Sequence, residues 1–328
     1  MKTLFSAALA FSALVFGAFP AVGAEPLRIG LIGLDSSHAV AFTKAINAKE
    51  PRPELAGAKV VAAFPGGSPD IAASADRIEG FTKTIKELGI EIVPSIDDLL
   101  TKVDAVIMNS VDGRVHLEQA TPVLKAGLPL FVDKPVTASL EDAQKLLALS
   151  RETGTPFFSS STLRFCSEVA ALQKEGQAGN IVGCVAYSPS RLDPTHPDLF
   201  WYGIHGVETL FTVMGPGCVS VQRTQEEGVE VVTGVWKDGR VGTFRGIRDG
   251  ASGYGVLVFG KKKIEFVTIR AGYDLLVTEI VQFFRSGKPP VAPEETLEIV
   301  AFMIAADASK DANGASIQLS DILEASGK

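Results

Sequence analysis

Three short stretches of this chain gather side chains that could move protons or hold an oxygen-rich ligand. The first is Val132-Asp133-Lys134-Pro135, a charged pair closing an apolar run. A lysine desolvated at the ligand edge of a sheet has a lowered pKa and acts as general acid/base on a hydroxyl. The bland reading is an exposed ion pair at a strand end. The second runs Leu199-Phe200-Trp201-Tyr202-Gly203-Ile204-His205-Gly206-Val207-Glu208. In one helix, Trp201, His205 and Glu208 share a face, so the carboxylate orients the imidazole or shares a ligand with it, and the indole stacks on a sugar ring. A core helix with one satisfied histidine is the alternative. The third lies at residues 27–43, where the apolar run 29–34 meets a tight turn and then a helical pattern. That is the strand–turn–helix of a nucleotide-binding βαβ unit, whose turn is Gly-x-Gly-x-x-Gly. Counting from Gly33, the second glycine place holds Asp35 and the third holds His38. A carboxylate there repels a diphosphate from the helix N-terminus. Asp35 or the neighbouring Ser36 also suits the helix cap.

These stretches need a scaffold, and the pattern supplies one. Strands are predicted at 28–34, 59–64, 91–93, 105–110, 128–132 and 156–160, with helices at 38–49, 75–88, 96–102, 115–126 and 140–153. Short apolar runs alternating with helical ones give an α/β fold, a Rossmann-like doubly wound parallel sheet with ligands beyond the strands' carboxyl ends. The second strand runs into Pro65-Gly66-Gly67-Ser68-Pro69-Asp70, so no acid stands at its end to bind ribose; Asp70 reads as a turn or cap residue. After 162 the pattern changes. Helices are expected at 167–175, 201–214, 273–286 and 294–313, and closely spaced strands at 181–188, 220–224, 230–236, 241–248, 254–259 and 262–269. Short turns between strands indicate an open, mostly antiparallel sheet. The expected domains are 25–162 and 163–328.

The 328 residues carry a net charge of −7 and are 46% hydrophobic, which argues against nucleic acid as a partner. Residues 1–24 have the charged, apolar and small-residue regions of a secretory signal, with cleavage after Ala24, export to the periplasm and no stable membrane span afterwards. No Arg-Arg pair precedes the apolar run, so the chain folds after export and carries no cytoplasmic nicotinamide cofactor with it. Cys166, Cys184 and Cys218 are too few and too scattered for a disulfide framework or zinc site; they read as small buried residues, or as one bridged pair and an odd thiol. No compact metal-ligand motif is present.

With these pieces in place, the chain resembles the glucose–fructose oxidoreductase, inositol dehydrogenase and rhizopine-catabolism family, Gfo/Idh/MocA. The matching residues are the 28–33 strand, Met108-Asn109-Ser110 leading to His116 and Ala126-Gly127, Asp133-Lys134-Pro135 where the family usually has Glu-Lys-Pro, Leu163-Arg164-Phe165, His205, and the ending from Gly287-Lys288-Pro289-Pro290 to Leu319. The resemblance implies a Rossmann domain followed by an α/β domain that oligomerises through its open sheet. It also implies NAD- or NADP-dependent chemistry on a sugar or polyol. It gives Lys134 as catalytic lysine beside Asp133, and His205 as catalytic or substrate-orienting histidine. It places Gly30, Gly33, Asp35, Ser36, His38, Asn109 and Lys134 at the cofactor, and Arg164, Trp201, Tyr202, His205 and Glu208 at the substrate. Where the family often has an aspartate four residues before the histidine, this chain has Trp201. Two other readings stand beside it. One is a non-redox lyase, epimerase or hydrolase in which Asp35, His38, Lys134, His205 and Glu208 converge, with a divalent metal on His38, His205 and a carboxylate as a variant. The other is a sugar-binding protein without catalysis, walled by Phe200, Trp201 and Tyr202.

Overall fold

The computed structural model describes residues 25–173 and 179–325; the export signal read at 1–24 lies outside them. The first half runs β1 (Leu27–Ile32), α1 (Ser37–Ile46), β2 (Ala58–Phe64), α2 (Ala72–Ala75), α3 (Ile78–Glu87), β3 (Glu91–Ile92), α4 (Ile96–Leu100), β4 (Ala105–Met108), α5 (His116–Lys125), β5 (Leu130–Val132), α6 (Leu140–Thr153) and β6 (Phe157–Ser159). The strands form one sheet in the order β3-β2-β1-β4-β5-β6, every described pairing parallel. The order reverses between β1 and β4, which places the ligand crevice at the carboxyl ends of those strands. Serine hydroxyls cap three of the helices: Ser36 accepts from the His38 N–H, Ser95 from Asp98 and Ser139 from Asp142. The predicted helix at 75–88 is two, α2 and α3, meeting at Asp76-Arg77. The break aims the Ser74 hydroxyl of α2 at Asp35.

The second half runs α7 (Ser167–Gln173), β7 (Ile181–Pro189), α8 (Asp198–Trp201), α9 (Ile204–Met214), β8 (Cys218–Glu226), β9 (Val229–Trp236), β10 (Val241–Ile247), β11 (Gly255–Gly260), β12 (Ile264–Thr268), α10 (Asp274–Ser286), α11 (Pro293–Asp311), β13 (Ile317–Gln318) and α12 (Leu319–Ala325). Its sheet has the order β12-β11-β7-β10-β9-β8-β13. Only the central β7–β10 pair is parallel, so the sheet is mixed but mostly antiparallel, as the turn spacing predicts. The inner face packs on α9 and α11 through Phe211, Trp236, Phe244 and Phe302. The outer face carries Val235, Val241, Ile264 and Phe266, the last two more than 60% exposed. Beneath the inner face, fully buried Arg223 meets Asp198 (2.9 Å), Asp307 (2.5 Å) and Glu230.

The two sheets are not successive modules. After β12 the chain returns to the first domain, where α10 buries Leu276, Val277, Ile280, Val281 and Phe283 in the cluster that contains Ile29, Leu31 and Phe131. Cys166, Cys184 and Cys218 are free and buried, and burial pushes the thiols of Cys184 and Cys218 up to about 12.

Candidate active site

The turn after β1 decides what the first domain can offer. Gly33 has φ +84°, and a Cβ on it would stand 2.3 Å from the backbone nitrogen of Ser110, so only glycine lets the turn pass this close to the end of β4. Gly30, by contrast, lies within β1 and faces Leu99 of α4, with no place at a cofactor; its role is sheet-to-helix packing. Asp35 is fully buried and turned sideways: it accepts from the Ser74 hydroxyl (2.6 Å) and the Val111 N–H (3.2 Å). Burial raises its pKa against those two bonds. It therefore ties the β1 turn to α2 and to the β4 loop, while the cap belongs to Ser36. Asp70 pairs with Arg114 at 2.8 Å, leaving the end of β2 without an acid, as the sequence indicates.

A cavity of about 450 Å³ lies between the domains. The first turn of α1 enters it with Ser36, Ser37 and His38; the end of β5 adds Asp133 and Lys134; the second domain adds Trp201, Tyr202 and His205. Lys134 and His205, far apart in sequence, thus face one space. His38 Nδ1 bonds the Asp133 carboxylate, and its ring stacks on Phe42 (5.4 Å between centroids) and against the edge of Tyr273 (4.8 Å). Asp133 also accepts from the Lys134 N–H (2.8 Å). Burial would raise its pKa, but the His38 and Lys134 charges outweigh it and hold the carboxyl below the usual range. Lys134 is shifted down, first by burial and further by Arg77, with Asp133 opposing. Its Nζ lies 5.7 Å from the Tyr202 ring centroid.

His205 sits near the start of α9, its Nδ1 2.7 Å from Ser161 Oγ. Ser161 Oγ already accepts from the Leu163 N–H (3.2 Å), so its own proton is available to Nδ1, which favours a ring that carries its hydrogen on Nε2. Burial, then the Lys134 and His38 charges, push its pKa well below the ordinary histidine value. The imidazole is therefore oriented by a hydroxyl, whereas a carboxylate was expected. The predicted helix at 201–214 breaks at Tyr202, whose φ of −135° leaves the helical range, and the next residue must be glycine because a Cβ on Gly203 would fall 2.9 Å from Leu199 and 3.0 Å from Ser190. Trp201 ends α8 and still lines the cavity, edging His196 at 5.1 Å.

Two of the expected substrate residues point elsewhere. Glu208, three residues after His205, turns from the cavity into a buried cluster with Ser160 (3.0 Å) and Arg164. Arg164 pairs through Nε with Glu208 (2.5 Å) and through Nη2 with Glu295 (2.7 Å). Both are structural. Asn109 is fully buried with neither side-chain atom bonded, and it is not among the residues that line the cavity. The cavity also uses Arg77, Arg191, Tyr254 and Tyr273, which the sequence reading did not select. Each sits in a helix start, loop or strand margin whose direction only the fold determines. Among the described residues no group of three or more His, Cys, Asp or Glu is gathered to hold a metal ion, and no helix is long and apolar enough to cross a membrane. His38, proposed as a metal ligand in the non-redox variant, spends its Nδ1 on Asp133.

The cavity fits the nicotinamide-proximal part of a dinucleotide. The N-terminus of α1, the Ser36 and Ser37 side chains and Arg77 face the same space, and Asp35 is turned out of the way.

Comparison with known proteins agrees with this architecture. Residues 27–161 match the family model GFO_IDH_MocA, described as an oxidoreductase family with an NAD-binding Rossmann fold. The inositol 2-dehydrogenase of Corynebacterium glutamicum is 27% identical over 164 residues, 48% of this chain and 44% of that protein, so the match spans less than half the relative's length. Among solved structures, the scyllo-inositol dehydrogenase of Lactobacillus casei with bound NAD(H) and scyllo-inositol superposes with a TM-score of 0.72 at 17% identity, covering 90% of this chain and 99% of that one. A putative NADPH-dependent oxidoreductase from Desulfitobacterium hafniense gives 0.74 at 17% identity over 91% and 99%. At such identities the likeness shows the fold.

Proposed function

We propose that this chain, whose residues 27–161 match the Gfo/Idh/MocA oxidoreductase family model with its NAD-binding Rossmann fold, oxidises or reduces a sugar or polyol with a nicotinamide cofactor. The observation that carries the reading is the convergence of Lys134 and His205, one from each domain, on a cavity that also receives the first turn of α1. The inositol dehydrogenases among the similar proteins support a polyol as the substrate class. The α1 N-terminus, Ser36, Ser37 and Arg77 would hold the diphosphate. When bound, the nicotinamide accepts or gives the hydride.

The protein's own residues handle the proton. Lys134, with its pKa lowered by burial, takes the carbinol proton in oxidation and returns it in reduction. Asp133, held by His38 and by the Lys134 N–H, fixes the lysine's backbone and keeps one negative charge beside it. His205, neutral and oriented by Ser161, donates from Nε2 to the reacting oxygen or its neighbour. Trp201 and Tyr202 supply aromatic wall for the ligand to pack against.

The test is to incubate the purified protein with NAD+ or NADP+ and a panel of polyols and follow nicotinamide absorbance. Turnover that Lys134→Met lowers about 100- to 10,000-fold supports the proposal. A protein that binds neither nucleotide in a titration overturns it. Two further readings accompany this one. The mature chain is exported, and the apolar outer face of the second sheet, with Tyr187 stacked on Phe266 at 6.3 Å, joins copies of the chain.

A further inference from the structure

We propose that the substrate of this site is an acid, a sugar or polyol carrying a carboxylate, and that Arg191 is the residue that binds it. The inference rests on the dehydrogenase reading only for placing the reacting carbinol at Lys134.

Besides two histidines, the cavity wall carries two arginines and a lysine, Arg77, Arg191 and Lys134, and a single carboxylate, Asp133, which is already bonded to His38. This is a positive cleft in a chain whose net charge is −7. A cleft of one sign with low-dielectric walls concentrates ligands of the opposite sign. A neutral polyol makes no use of such a field.

Of the arginines without an acidic partner among the described residues, only Arg77 and Arg191 line the cavity, and Arg191 is the one from the second domain. Arg28, Arg52, Arg114, Arg151, Arg164, Arg223, Arg240 and Arg248 each hold an acidic side chain. Arg191 holds none among the described residues; its guanidinium lies over the Tyr202 ring, 5.6 Å from the centroid. The same ring receives Lys134 Nζ at 5.7 Å. Two cations share one aromatic platform, and Tyr202 in turn edges His205 at 5.2 Å. An anion seated on that platform would neutralise both. Stacking on Tyr202 orients the planar guanidinium fork, which suits two-point recognition of a carboxylate.

The geometry also limits the ligand's size. The two distances to one centroid place the Arg191 and Lys134 charges no more than about 11 Å apart. With the ligand in line between charges at that limit, a hydrogen bond of roughly 3 Å at each end leaves about 5 Å between carboxylate and carbinol. That is the span within one hexose-sized acid. The cofactor's diphosphate does not account for Arg191. The diphosphate belongs at the α1 terminus, on the Rossmann side with Arg77, whereas Arg191 follows β7 in the second domain.

The experiment measures binding by calorimetry to the full mature chain, with and without NAD+, for matched pairs: gluconate against glucitol, glucuronate against glucose, with glucose 6-phosphate as a separate arm. The expected result is that at least one acid binds more tightly than its neutral partner, and that Arg191→Gln weakens the acid about 10- to 100-fold without changing the neutral one. Arg191→Lys recovers part of the loss, since it keeps the charge but not the fork. Arg191 is exposed, so its substitution leaves folding intact. Neutral members binding as tightly as their acids, no acid binding at all, tighter binding of the phosphate, or an Arg191→Gln variant equal to wild type would each overturn the assignment. The two proposals fail separately. Arg191-dependent acid binding without nicotinamide reduction removes the dehydrogenase reading alone, and turnover of neutral polyols that ignores Arg191 removes only the acid.

Discussion

Replacing His38 with phenylalanine isolates the bond at the centre of the site. The ring stays between Phe42 and Tyr273, while the partner of the Asp133 carboxylate disappears. The two side chains are only 15% and 5% exposed, so solvent does not replace the lost contact, and Asp133 keeps a single recorded donor, the Lys134 N–H. A hydrogen bond to a charged group contributes about 1.5–3 kcal/mol. For roughly 300 ordered residues a loss of about 2 kcal/mol lowers Tm by about 3 °C. The sign with pH is distinctive. In the wild type the folded pKa of Asp133 is depressed, so its contribution is present above the unfolded carboxylate value, about 4, and is lost as pH falls through the folded one. In His38→Phe burial is opposed only by Lys134, so the folded pKa of Asp133 is expected to rise above the unfolded value, and the variant is penalised only where Asp133 must ionise. The Tm gap between the two proteins is therefore full at pH 7 and narrows on acidification toward pH 4. Thermal melts across that range, read by circular dichroism, check it. No gap at pH 7, or a gap that does not change with pH, would refute the reasoning that the dyad holds a buried carboxylate ionised.

Two more outcomes follow from the same site and its surroundings. Arg77 lowers the Lys134 pKa, so in Arg77→Leu the lysine titrates higher and the limb of the kcat/KM profile that reports it moves to higher pH; an unmoved or lowered limb counts against Lys134 as the titrating group. Glu208→Leu strips Arg164 of one of its two buried partners and costs about 3–5 kcal/mol of stability, seen as a large drop in Tm, while the folded fraction keeps its KM; a raised KM with unchanged stability would return Glu208 to the substrate.

The parallel sheet was legible because buried strands bounded by Gly, Pro and Asp, alternating with amphipathic runs, admit few other arrangements, and the observed β1 to β6 fall within a few residues of their expected places. Lys134 was legible for the same reason: a charge just past a buried strand has only the ligand edge to occupy. Directions within helices were harder to read. One helix at 201–214 would bring Trp201, His205 and Glu208 to one face, but the chain leaves helical geometry at Tyr202, and Glu208 answers a buried arginine from 44 residues earlier. Asp35 shows the same limit. Its position in the turn was evident, yet whether it faced an anion depended on Ser74, a hydroxyl 39 residues away on a helix whose break the pattern did not reveal. Arg191 lay in an irregular segment rich in Pro and Asp, where no periodicity assigns a facing.

The return of α10 to the first sheet bears on how a ligand gets in. With Leu276, Val277, Ile280, Val281 and Phe283 locked among Ile29, Leu31 and Phe131, the two halves are stitched at more than one point, and a swing of one against the other would tear apolar contacts open on the far side. Entry must then rely on small displacements of the side chains and loops at the mouth, above all the 190–197 segment that carries Arg191. A fragment cut at residue 162 would expose the strip that α10 covers, and would be expected to aggregate rather than behave as a free-standing nucleotide-binding unit.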